Sequence, residues 1–515
     1  MLGYCVAEIL LIRSHRTLRY SPLLLKRLAQ RLIMADMLLI HAPLIINHRG
    51  EEWADTFGDE ASNYHMGLLY LAAYSEKLGV TSKILDVSVQ KITMEQILDE
   101  VEEEKPTLVG ISATSAGIKS AVHICREIKK KYKNMPVCLG GAHINCDPDF
   151  FDRVPEFDFC IVGEAEKTLY ETCIKLKNGE QVKGTLHGET VENLDDLPFP
   201  ARHLVNEWDY VREEKRHEFG PESLPWATML GSRGCPFKCT FCSIPAIQHK
   251  VRYRSAKSIV DEMEAIYDKC GGKFSFVDDV LTLNRKMTME LCDEILRRGI
   301  KARWCGMTRA EILKEDLVIK LAASGCNDLF FGIESGNDRV RNEVIDKRIT
   351  NAEIADAVKL CKKHGIHTNF LLMVGFPTET LEEIEDTVNI GHKTGADLIG
   401  IRQTIPFPGT KVYDFAIQEG MIDKDLIDRF GRGEGWSEKD NFFEKWPKFL
   451  PEGITTEDIV KAKRRAYRKH YLRPTWALSR VRHWFRAPHW FRHDIDLLKV
   501  APMTFLKGKT KGAMS

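Results

Sequence analysis

The sequence predicts an α/β protein that consists of a doubly wound parallel sheet, a partial (β/α)6 barrel and a helical C-terminal region. Short apolar runs alternate with amphipathic segments of ten or more residues along most of the chain, a pattern typical of βαβ units. A polar, turn-rich stretch around "LDDLPFPAR" divides this alternation into two series. A chain of 515 residues is long enough for two or three domains of this kind.

The first series, residues 37–180, predicts a doubly wound, Rossmann-like domain. Its strands are "MLLIHAPLI", "TSKILDV", "PTLVGISA", "PVCLGGAH" and "FDFCIV", with amphipathic helices between them. Ligands of such folds bind outside the carboxyl ends of the strands. Small residues at those ends, in "GISATS", "GGAH" and "VGEAE", allow a large ligand to approach the backbone. The segment has neither a G-x-G-x-x-G loop nor a Walker lysine, so no nucleotide site is indicated.

The second series, residues 226–440, follows a linker at 181–225 and predicts a partial (β/α)6 barrel. Its strands are "ATMLGS", "KFSFVDDV", "RWCGMTR", "DLFFGIES", "HTNFLLMVGFP" and "DLIGIRQTIPFPGT". Barrels of this type carry their chemistry at the C-terminal ends of the strands. Residues 441–515 have a helical pattern and are rich in Trp and Arg.

Charge is unevenly distributed along a chain whose formal net charge is zero. Residues 1–36 form a basic extension that is similar in composition to a targeting segment, but we favour Met34 as the start because the first strand follows it directly. Residues 461–515 are strongly basic. The sequence has no apolar run of membrane-spanning length, and its 14 cysteines come without a secretory signal. We therefore expect a cytoplasmic protein, with peripheral membrane contact through the basic tail as one alternative.

Three cysteines within "GSRGCPFKCTFCS" predict a metal centre directly after the first barrel strand. Cys235, Cys239 and Cys242 have C-x3-C-x2-C spacing, which is close enough for one centre. Zinc requires a fourth ligand, and no second cysteine pair lies nearby in the sequence. A four-iron cluster held by three thiolates leaves one iron open for a substrate or cofactor.

On these residues the barrel resembles the radical S-adenosylmethionine (SAM) enzymes, in which the open iron of a 4Fe–4S cluster binds SAM and a 5′-deoxyadenosyl radical is made. The resemblance covers residues 226–415 and includes "FSFVDDVLT", "FFGIESGND", "LLMVGFPTET" and "IPFPGT". It implies that the SAM-binding residues include Phe241, Asp278, Glu334, Ser335, Gly375 and Arg402.

Each of these motifs alone has a structural alternative. Asp278 and Asp279 are equally compatible with a strand end, and Glu334 with an ion pair. Arg309 and Arg402 are compatible either with binding a SAM or substrate carboxylate or with structural pairing. The order of the motifs around one barrel, behind the cysteines, favours the functional interpretation.

The front domain resembles the cobalamin-binding domain that precedes the barrel in a large subgroup of radical SAM enzymes. The resemblance implies that cobalamin contacts Ser112, Thr114, Gly140, Gly141, Gly163 and Glu164. The chain lacks the D-x-H-x-x-G motif whose histidine binds cobalt in other cobalamin domains. We therefore expect base-off cobalamin without a protein histidine ligand, and interpret His41, His65 and His143 as ordinary loop or strand-end residues.

The resemblance implies an enzyme that uses a 4Fe–4S cluster, SAM and cobalamin. The favoured reaction is methylation of an unactivated carbon: one SAM methylates the cobalamin, and a second provides the radical that activates the substrate. The alternative is radical cyclisation or rearrangement without methyl transfer, as in the oxidative cyclase of anaerobic bacteriochlorophyll synthesis. A non-catalytic cobalamin or iron–sulfur sensor and a methylthiotransferase are less favoured. The sequence does not identify the catalytic residues.

The tail bears on the substrate. "RRAYRKHYLRPTWALSRVRHWFRAPHWFRHDIDLLKV" interleaves Arg with aromatic residues, which suits packing over the barrel, contact with an anionic membrane or, least of all, nucleic acid. Similar tails in relatives that act on hopanoids or tetrapyrroles favour a small, lipid-like or tetrapyrrole-like substrate and no nucleic acid. An electron donor such as flavodoxin or ferredoxin is also expected.

Overall fold

The computed structural model describes residues 34–46, 65–210, 226–248, 250–437, 440, 442–450 and 452–474, with 476, 478 and 481. The first sheet has six parallel strands in the order β2-β1-β3-β4-β5-β6. These are β1 Met37–His41, β2 Ser82–Asp86, β3 Leu108–Ser112, β4 Val137–Gly140, β5 Phe159–Val162 and β6 Gly184–His187. The order reverses beside β1, so β1 and β3 flank the switch point at which ligands of such sheets bind.

Helices cover both faces of this sheet, as the sequence predicts. They are α1 Met66–Lys77, α2 Val87–Gln90, α3 Met94–Glu104, α4 Ile118–Lys131, α5 Ala142–Cys146, α6 Phe150–Arg153 and α7 Glu166–Lys177. Helix α3 begins at a capping box, in which the Thr93 hydroxyl accepts from the Gln96 N–H and the Gln96 side chain accepts from the Thr93 N–H. The connector at 181–210 contains short 3-10 turns at Leu194–Asp196, Arg202–Leu204 and Glu207–Tyr210.

The second sheet forms the predicted partial barrel, with six parallel strands in the order β14-β13-β12-β11-β10-β7. Its strands are β7 Ala227–Met229, β10 Lys273–Phe276, β11 Arg303–Thr308, β12 Cys326–Glu334, β13 His367–Val374 and β14 Leu398–Gln403. The two short strands β8 Ser232–Arg233 and β9 Arg252–Tyr253 pair antiparallel and flank the cysteine segment. The barrel helices are α8 Ile244–Ile247, α9 Ala256–Cys270, α10 Arg285–Arg297, α11 Glu315–Ala323, α12 Asn351–His364 and α13 Leu381–Thr394.

The fold class is confirmed. The predicted domain limits stay predictions, and two features of the structure cross them. Strand β6 lies in the predicted linker and pairs with β5, so the first sheet continues past residue 180. The segment after the last barrel strand also returns to the first domain. Its helices are α14 Lys411–Gln418, α15 Leu426–Arg432 and α16 Phe442–Lys445. Phe430 and Trp446 share one buried cluster with Ile124 and Ile128 of α4.

The last described helix, α17 Thr456–Tyr471, packs against α13 and covers the free edge of the barrel sheet at β14. The Tyr467 hydroxyl accepts from the Ile401 N–H at 3.1 Å, and the Tyr471 hydroxyl accepts from the Ile399 N–H at 3.1 Å. These bonds satisfy edge-strand donors that would otherwise face solvent. This part of the tail therefore packs on the barrel, as one of the alternatives predicts, and it covers the edge of the barrel sheet at β14.

Residues 1–33 of the predicted basic extension and residues 482–515 of the predicted basic tail lie outside the described residues. In the part of the chain that the structure describes, no helix is long and apolar enough to cross a membrane.

Candidate cofactor site

The cysteine segment begins at Gly234, whose backbone conformation favours glycine, and hydrogen bonds hold the segment in place. Gly234 has φ 91°, and a Cβ there would lie 2.7 Å from the Lys250 carbonyl oxygen. Farther along, the Thr240 N–H donates to the Ile345 carbonyl at 3.1 Å and its hydroxyl donates to the Val344 carbonyl at 2.8 Å. The segment between the first and third cysteines is therefore held against the loop that follows β12.

Aromatic contacts hold the same segment from two further sides. The Arg309 guanidinium carbon lies 3.6 Å from the centre of the Phe237 ring. The rings of Phe241 and Phe376 meet edge to face at 6.0 Å. Arg309 also pairs with Glu311 at 2.5 Å, so the structural alternative fits this arginine better than a carboxylate-binding role.

The three cysteines lie in a half-buried, largely apolar setting. Cys239 is buried with Phe376, and Cys242 packs at the margin of the same cluster. Burial raises the pKa of the Cys235 thiol, and it raises the pKa of Cys242 to about 11. Such thiols ionise readily only when a cation stabilises the thiolate, as a metal ligand requires.

No three His, Cys, Asp or Glu side chains in the described ranges form a group suited to a single metal ion. The cysteines of an iron–sulfur cluster need not converge on one ion, because each of them binds a different iron. The arrangement around the thiols, with short spacing, a fixed loop and no fourth cysteine in the segment, fits a three-cysteine cluster.

Two of the predicted SAM residues lie together at the end of β12. Glu334 has φ 63°, which is unusual for a residue with a side chain, and its carboxylate pairs with the Lys347 ammonium at 3.0 Å. The Ser335 side chain is fully buried and its hydroxyl bonds the Thr387 hydroxyl at 2.9 Å. Both side chains already have protein partners, so their predicted contacts with SAM stay predictions.

Gly375, directly after β13, has a backbone conformation that favours glycine and would let a ligand approach the backbone closely. It has φ 83°, and a Cβ would lie 3.0 Å from the Phe449 carbonyl oxygen. Its N–H and that of Phe376 donate to the Glu379 carboxylate at 2.6 and 3.0 Å. Burial raises the pKa of Glu379 to about 7. Glu379 was not among the predicted site residues, although it lies within "GFPTET".

Asp278 and Asp279, the two adjacent aspartates that follow β10, have different surroundings in the structure. Asp278 is buried, and it accepts from the Gly231 N–H at 3.0 Å and from the Ser232 hydroxyl at 2.5 Å. Its oxygens thus hold the start of the cysteine segment, and its predicted SAM contact stays a prediction. Asp279 instead lines the cavity described next.

A cavity of about 320 Å³ extends from the carboxyl ends of the first sheet to the base of the cysteine segment. Among the predicted cobalamin residues, those that line it are Ser112, Gly140, Gly141, Gly163 and Glu164. The barrel contributes Ser232, Arg233, Gly234 and Asp279. Thr114 is exposed, and its hydroxyl accepts from the Gly117 N–H in a local turn. The cavity is therefore shared by both domains.

Small residues make the wall of this cavity possible. Gly141 has φ 94°, and a Cβ there would lie 2.6 Å from the Ser112 hydroxyl oxygen and 2.8 Å from the backbone of Ala113. Gly140 has no heavy atom within 4 Å of its Cβ position, so its surface is open to a ligand. A side chain at these positions would occupy the space in front of the sheet. The glycine wall therefore fits a large, flat ligand such as cobalamin.

His65 also lines the cavity, and both of its ring nitrogens have partners. Nδ1 accepts from the Leu68 N–H at 3.2 Å and caps helix α1, so the ring proton belongs on Nε2, which lies 3.3 Å from the Ser112 hydroxyl. Burial lowers the pKa of His65 to about 3, and the neighbouring His41 ring adds to this. His65 is thus a neutral donor to Ser112 rather than a free imidazole nitrogen.

Buried ion pairs join the two domains beside the cavity. Glu164 accepts two bonds from Arg252, at 2.6 and 2.8 Å, and pairs with Arg233 at 3.2 Å. Arg233 pairs in turn with Glu166 at 2.6 Å. Arg233 and Arg252 face each other across the β8–β9 ladder, two residues before Cys235. We call Glu164, Glu166, Arg233 and Arg252 the domain clamp.

The domain clamp includes Glu164 of "VGEAE", a residue that is predicted to contact cobalamin. The Glu164 carboxylate is engaged by arginines, so its main role is to join the domains, although its backbone still lines the cavity. Burial alone would raise the pKa of Glu164, but the hydrogen bond from Arg252 and the charge of Arg233 outweigh it and the pKa is lowered. No local pattern predicts these partners, because they lie far apart along the chain.

Comparisons with known proteins match this geometry. Residues 229–390 match the radical SAM superfamily, and residues 60–172 match the B12 binding domain. An uncharacterized methyltransferase of Pyrococcus horikoshii is 30% identical over 79% of this chain and 88% of its own length. The chain belongs to the radical SAM enzymes that carry a B12 binding domain. Membership implies a 4Fe–4S cluster and SAM in the barrel and cobalamin in the front domain.

Two further proteins are similar to this chain. The anaerobic magnesium-protoporphyrin IX monomethyl ester cyclase of Cereibacter sphaeroides is 25% identical over 80% of this chain and 69% of its own. The radical SAM methyltransferase TsrM from Kitasatospora setae, solved with cobalamin and a 4Fe–4S cluster bound, superposes with a TM-score of 0.60 at 17% identity. That alignment covers 84% of this chain and 91% of TsrM, and it shows a shared fold.

Proposed function

We propose that this radical SAM enzyme methylates an unactivated carbon of a small, hydrophobic substrate or biosynthetic intermediate, with cobalamin as the methyl carrier. The observation that supports this most is the single cavity between the glycine wall of the first sheet and the cysteine segment. It extends from the predicted cobalamin-binding residues to Gly234, the residue directly before Cys235, which supports a reaction that uses both cofactors. The methyltransferase of Pyrococcus horikoshii, similar over most of both chains, favours the same reaction.

In this proposal the bound cofactors supply the radical and the methyl group, and the chain's own residues supply placement. Cys235, Cys239 and Cys242 hold the cluster. The domain clamp fixes the distance between the two domains, and the aromatic contacts around Phe237 and Phe241 exclude water from the cysteine segment. Such exclusion matters because a carbon radical reacts with any nearby hydrogen donor.

The proposal includes base-off cobalamin without a histidine ligand. Support comes from His65, whose two ring nitrogens are occupied by Leu68 and Ser112. His143 is fully buried and bonds the Ser115 hydroxyl at 3.0 Å through Nδ1. An electron donor of the flavodoxin or ferredoxin type and peripheral membrane contact through residues 482–515 belong to the same proposal.

A second candidate is radical cyclisation without methyl transfer, which the cyclase of Cereibacter sphaeroides favours. Methyl-labelled SAM separates the two. The anaerobic, reduced holoenzyme is incubated with labelled SAM, and both 5′-deoxyadenosine and label in the cobalamin fraction are measured. Methyl transfer predicts both products. Formation of 5′-deoxyadenosine with no label in the cobalamin fraction favours the cyclase, and absence of both refutes the proposal.

The control for this experiment is the triple variant Cys235→Ala, Cys239→Ala and Cys242→Ala. It removes the cluster ligands but leaves the glycine wall around Gly141 unchanged. We expect it to form no 5′-deoxyadenosine while it still binds cobalamin.

A further inference from the structure

Helix α17 runs antiparallel to the edge strand β14, so its last turn lies at the amino-terminal end of the barrel sheet. The Tyr467 hydroxyl bonds the Ile401 N–H, and the Tyr471 hydroxyl, one helical turn later, bonds the Ile399 N–H. Later residues of the helix thus lie beside earlier residues of the strand. The helix therefore ends on the side of the barrel opposite to the carboxyl ends of its strands.

Two side chains hold the chain at this end after the helix stops. The Arg473 guanidinium donates to the Ala396 carbonyl at 2.6 Å, and the Trp476 indole N–H donates to the Asp397 carbonyl at 3.1 Å. Both carbonyls lie in the short connection between α13 and β14. The C-terminal tail therefore starts at the amino-terminal end of the barrel.

Three apolar side chains of this stretch are exposed. Leu472 is 62% exposed and Leu478 is 65% exposed. Val481 is also exposed, and it lies three residues after Leu478 in helical chain, so the two share a face. Trp476 is buried, which shows that the opposite side of this stretch packs on the barrel. Scattered single leucines are ordinary at a surface, whereas exposed apolar residues that are grouped indicate a contact surface.

Two cations flank the first of these apolar residues. Arg468 and Lys469 are exposed, and they lie four and three residues before Leu472, on the preceding turn of α17. The Lys469 ammonium donates to the Asn389 amide oxygen at 3.0 Å. Within the described ranges, neither cation forms an ion pair with a carboxylate. Positive charge that no acidic side chain neutralises thus lies beside exposed apolar side chains.

We call the exposed residues of this region the tail base, which consists of Arg468, Lys469, Leu472, Leu478 and Val481. The sequence continues from it with the same two kinds of residue. Residues 482–515 contain seven Lys or Arg, two Asp and five Trp or Phe. Cations favour anionic headgroups, and apolar and aromatic side chains favour the boundary between headgroups and acyl chains. A nucleic acid would use the cations but would gain little from the exposed leucines.

We propose that the tail base docks on an anionic lipid bilayer. Its three apolar side chains enter the headgroup region, and Arg468 and Lys469 bind the lipid phosphates. This inference rests on the proposed function for its meaning, because peripheral membrane contact is part of that proposal. It adds the residues that make the contact and the orientation of the docked enzyme.

The position of the tail base determines which side of the barrel faces the bilayer. Strand β14 has six residues, which separate its two ends by about 20 Å. The tail base lies at the amino-terminal end of this strand, whereas the cysteine segment and the cavity lie at the carboxyl ends of the strands. The cavity therefore lies on the side of the barrel that is remote from the bilayer, and the substrate reaches it from the aqueous side.

Cosedimentation of the anaerobic holoenzyme with lipid vesicles tests the surface. One set of vesicles consists of equal parts phosphatidylglycerol and phosphatidylcholine, and the other of phosphatidylcholine alone. We expect binding to the anionic vesicles to be at least about ten-fold tighter, and to weaken as salt is added.

Two double variants locate the contact. Leu478→Glu with Val481→Glu replaces the apolar face, and Arg468→Gln with Lys469→Gln removes the two charges. All four side chains are exposed, so both variants should keep the melting temperature of the wild type. Each should weaken binding to the anionic vesicles at least about ten-fold.

The matched controls make the same changes at the other end of the barrel. Leu381, which is 40% exposed, begins α13 at the carboxyl end of the barrel, and Leu381→Glu is the control for the apolar face. Lys257→Gln with Lys286→Gln removes two exposed charges near the starts of α9 and α10. Both controls should change vesicle binding by less than about two-fold.

Four results overturn the inference. Equal binding to the two kinds of vesicle shows unspecific apolar adsorption, and wild-type binding by both double variants assigns the contact to residues 482–515. Vesicle binding that persists while binding of a single-stranded oligonucleotide is lost assigns the tail base to nucleic acid. Self-association that is seen by light scattering and is lost in Leu478→Glu with Val481→Glu, without vesicle binding by the wild type, assigns it to a second copy of the chain. Formation of 5′-deoxyadenosine is measured separately without vesicles, so a failure of the proposed function is distinguished from a failure of the docking surface.

Discussion

Replacing Glu164 with alanine should loosen the whole domain interface. The carboxylate is 11% exposed, holds Arg252 by two bonds and Arg233 by one pair, and accepts the Val191 N–H at 2.7 Å. Removing Glu164 leaves the buried Arg252 without a carboxylate partner and Arg233 with Glu166 alone, which costs about 3–5 kcal/mol of unfolding free energy. For a chain of 515 residues this corresponds to a drop in melting temperature of about 3–5 °C.

The assay is differential scanning calorimetry of the reconstituted protein under anaerobic conditions. The matched control is Glu189→Ala, because Glu189 forms an exposed pair with Lys167 at 2.8 Å, and we expect a shift of about 1 °C or less. Equal shifts for the two variants would refute the clamp as a buried, structural joint.

The pH dependence of the same effect has a defined sign. The pKa of Glu164 is lowered in the folded protein, so its ionised form contributes stability above its ordinary pKa of 4.5. That contribution is lost as the pH falls through the folded-state pKa, and the difference between wild type and Glu164→Ala should shrink there. A difference that persists unchanged in acid would contradict the assigned charge.

The remaining predictions concern the cavity, the buried Lys463 of α17 and the barrel edge. Gly141→Ala places a Cβ within 2.6 Å of Ser112 at φ 94°, so we expect loss of cobalamin binding, read from the absorbance of the purified protein after reconstitution, with iron content unchanged. Lys463→Met should be more stable than wild type at pH 7 in chloride buffer, by about 3 kcal/mol. Because the folded-state pKa of about 8 is below the ordinary value, that advantage should fall as the pH rises from 8 towards 10.5, as urea denaturation would show. Tyr467→Phe leaves the Ile401 N–H unpaired and should cost about 1–3 kcal/mol, with faster hydrogen exchange at that amide.

Local patterns predicted most of the fold. All six barrel strands and five strands of the first sheet were found, because each is a short apolar run followed by a helix with clear start and stop residues. Strand β6 was missed because "GTLH" is only half-buried at the edge of the sheet and has no apolar run. The return of residues 411–446 to the first domain was missed because nothing local specifies which core an amphipathic helix joins.

The candidate site was likewise predicted where its residues form local motifs and missed where they depend on distant partners. The three cysteines and the glycine wall are local motifs, and the sequence located both. Asp278 and Asp279 are neighbours with identical chemistry, and only the backbone decides which one turns inward. The domain clamp depends on partners 88 residues apart, such as Glu164 and Arg252, a separation at which a single sequence carries no pairing signal.

A cluster site and a cobalamin site that adjoin one cavity should both be occupied in the same chain. The decisive measurement is the iron, sulfide and cobalamin content of the protein purified anaerobically from cells supplied with hydroxocobalamin. We expect about four irons and one cobalamin per chain in the wild type. The triple cysteine variant should lose iron and keep cobalamin, and Gly141→Ala should do the reverse. Wild-type protein that holds a cluster but no cobalamin would contradict this expectation.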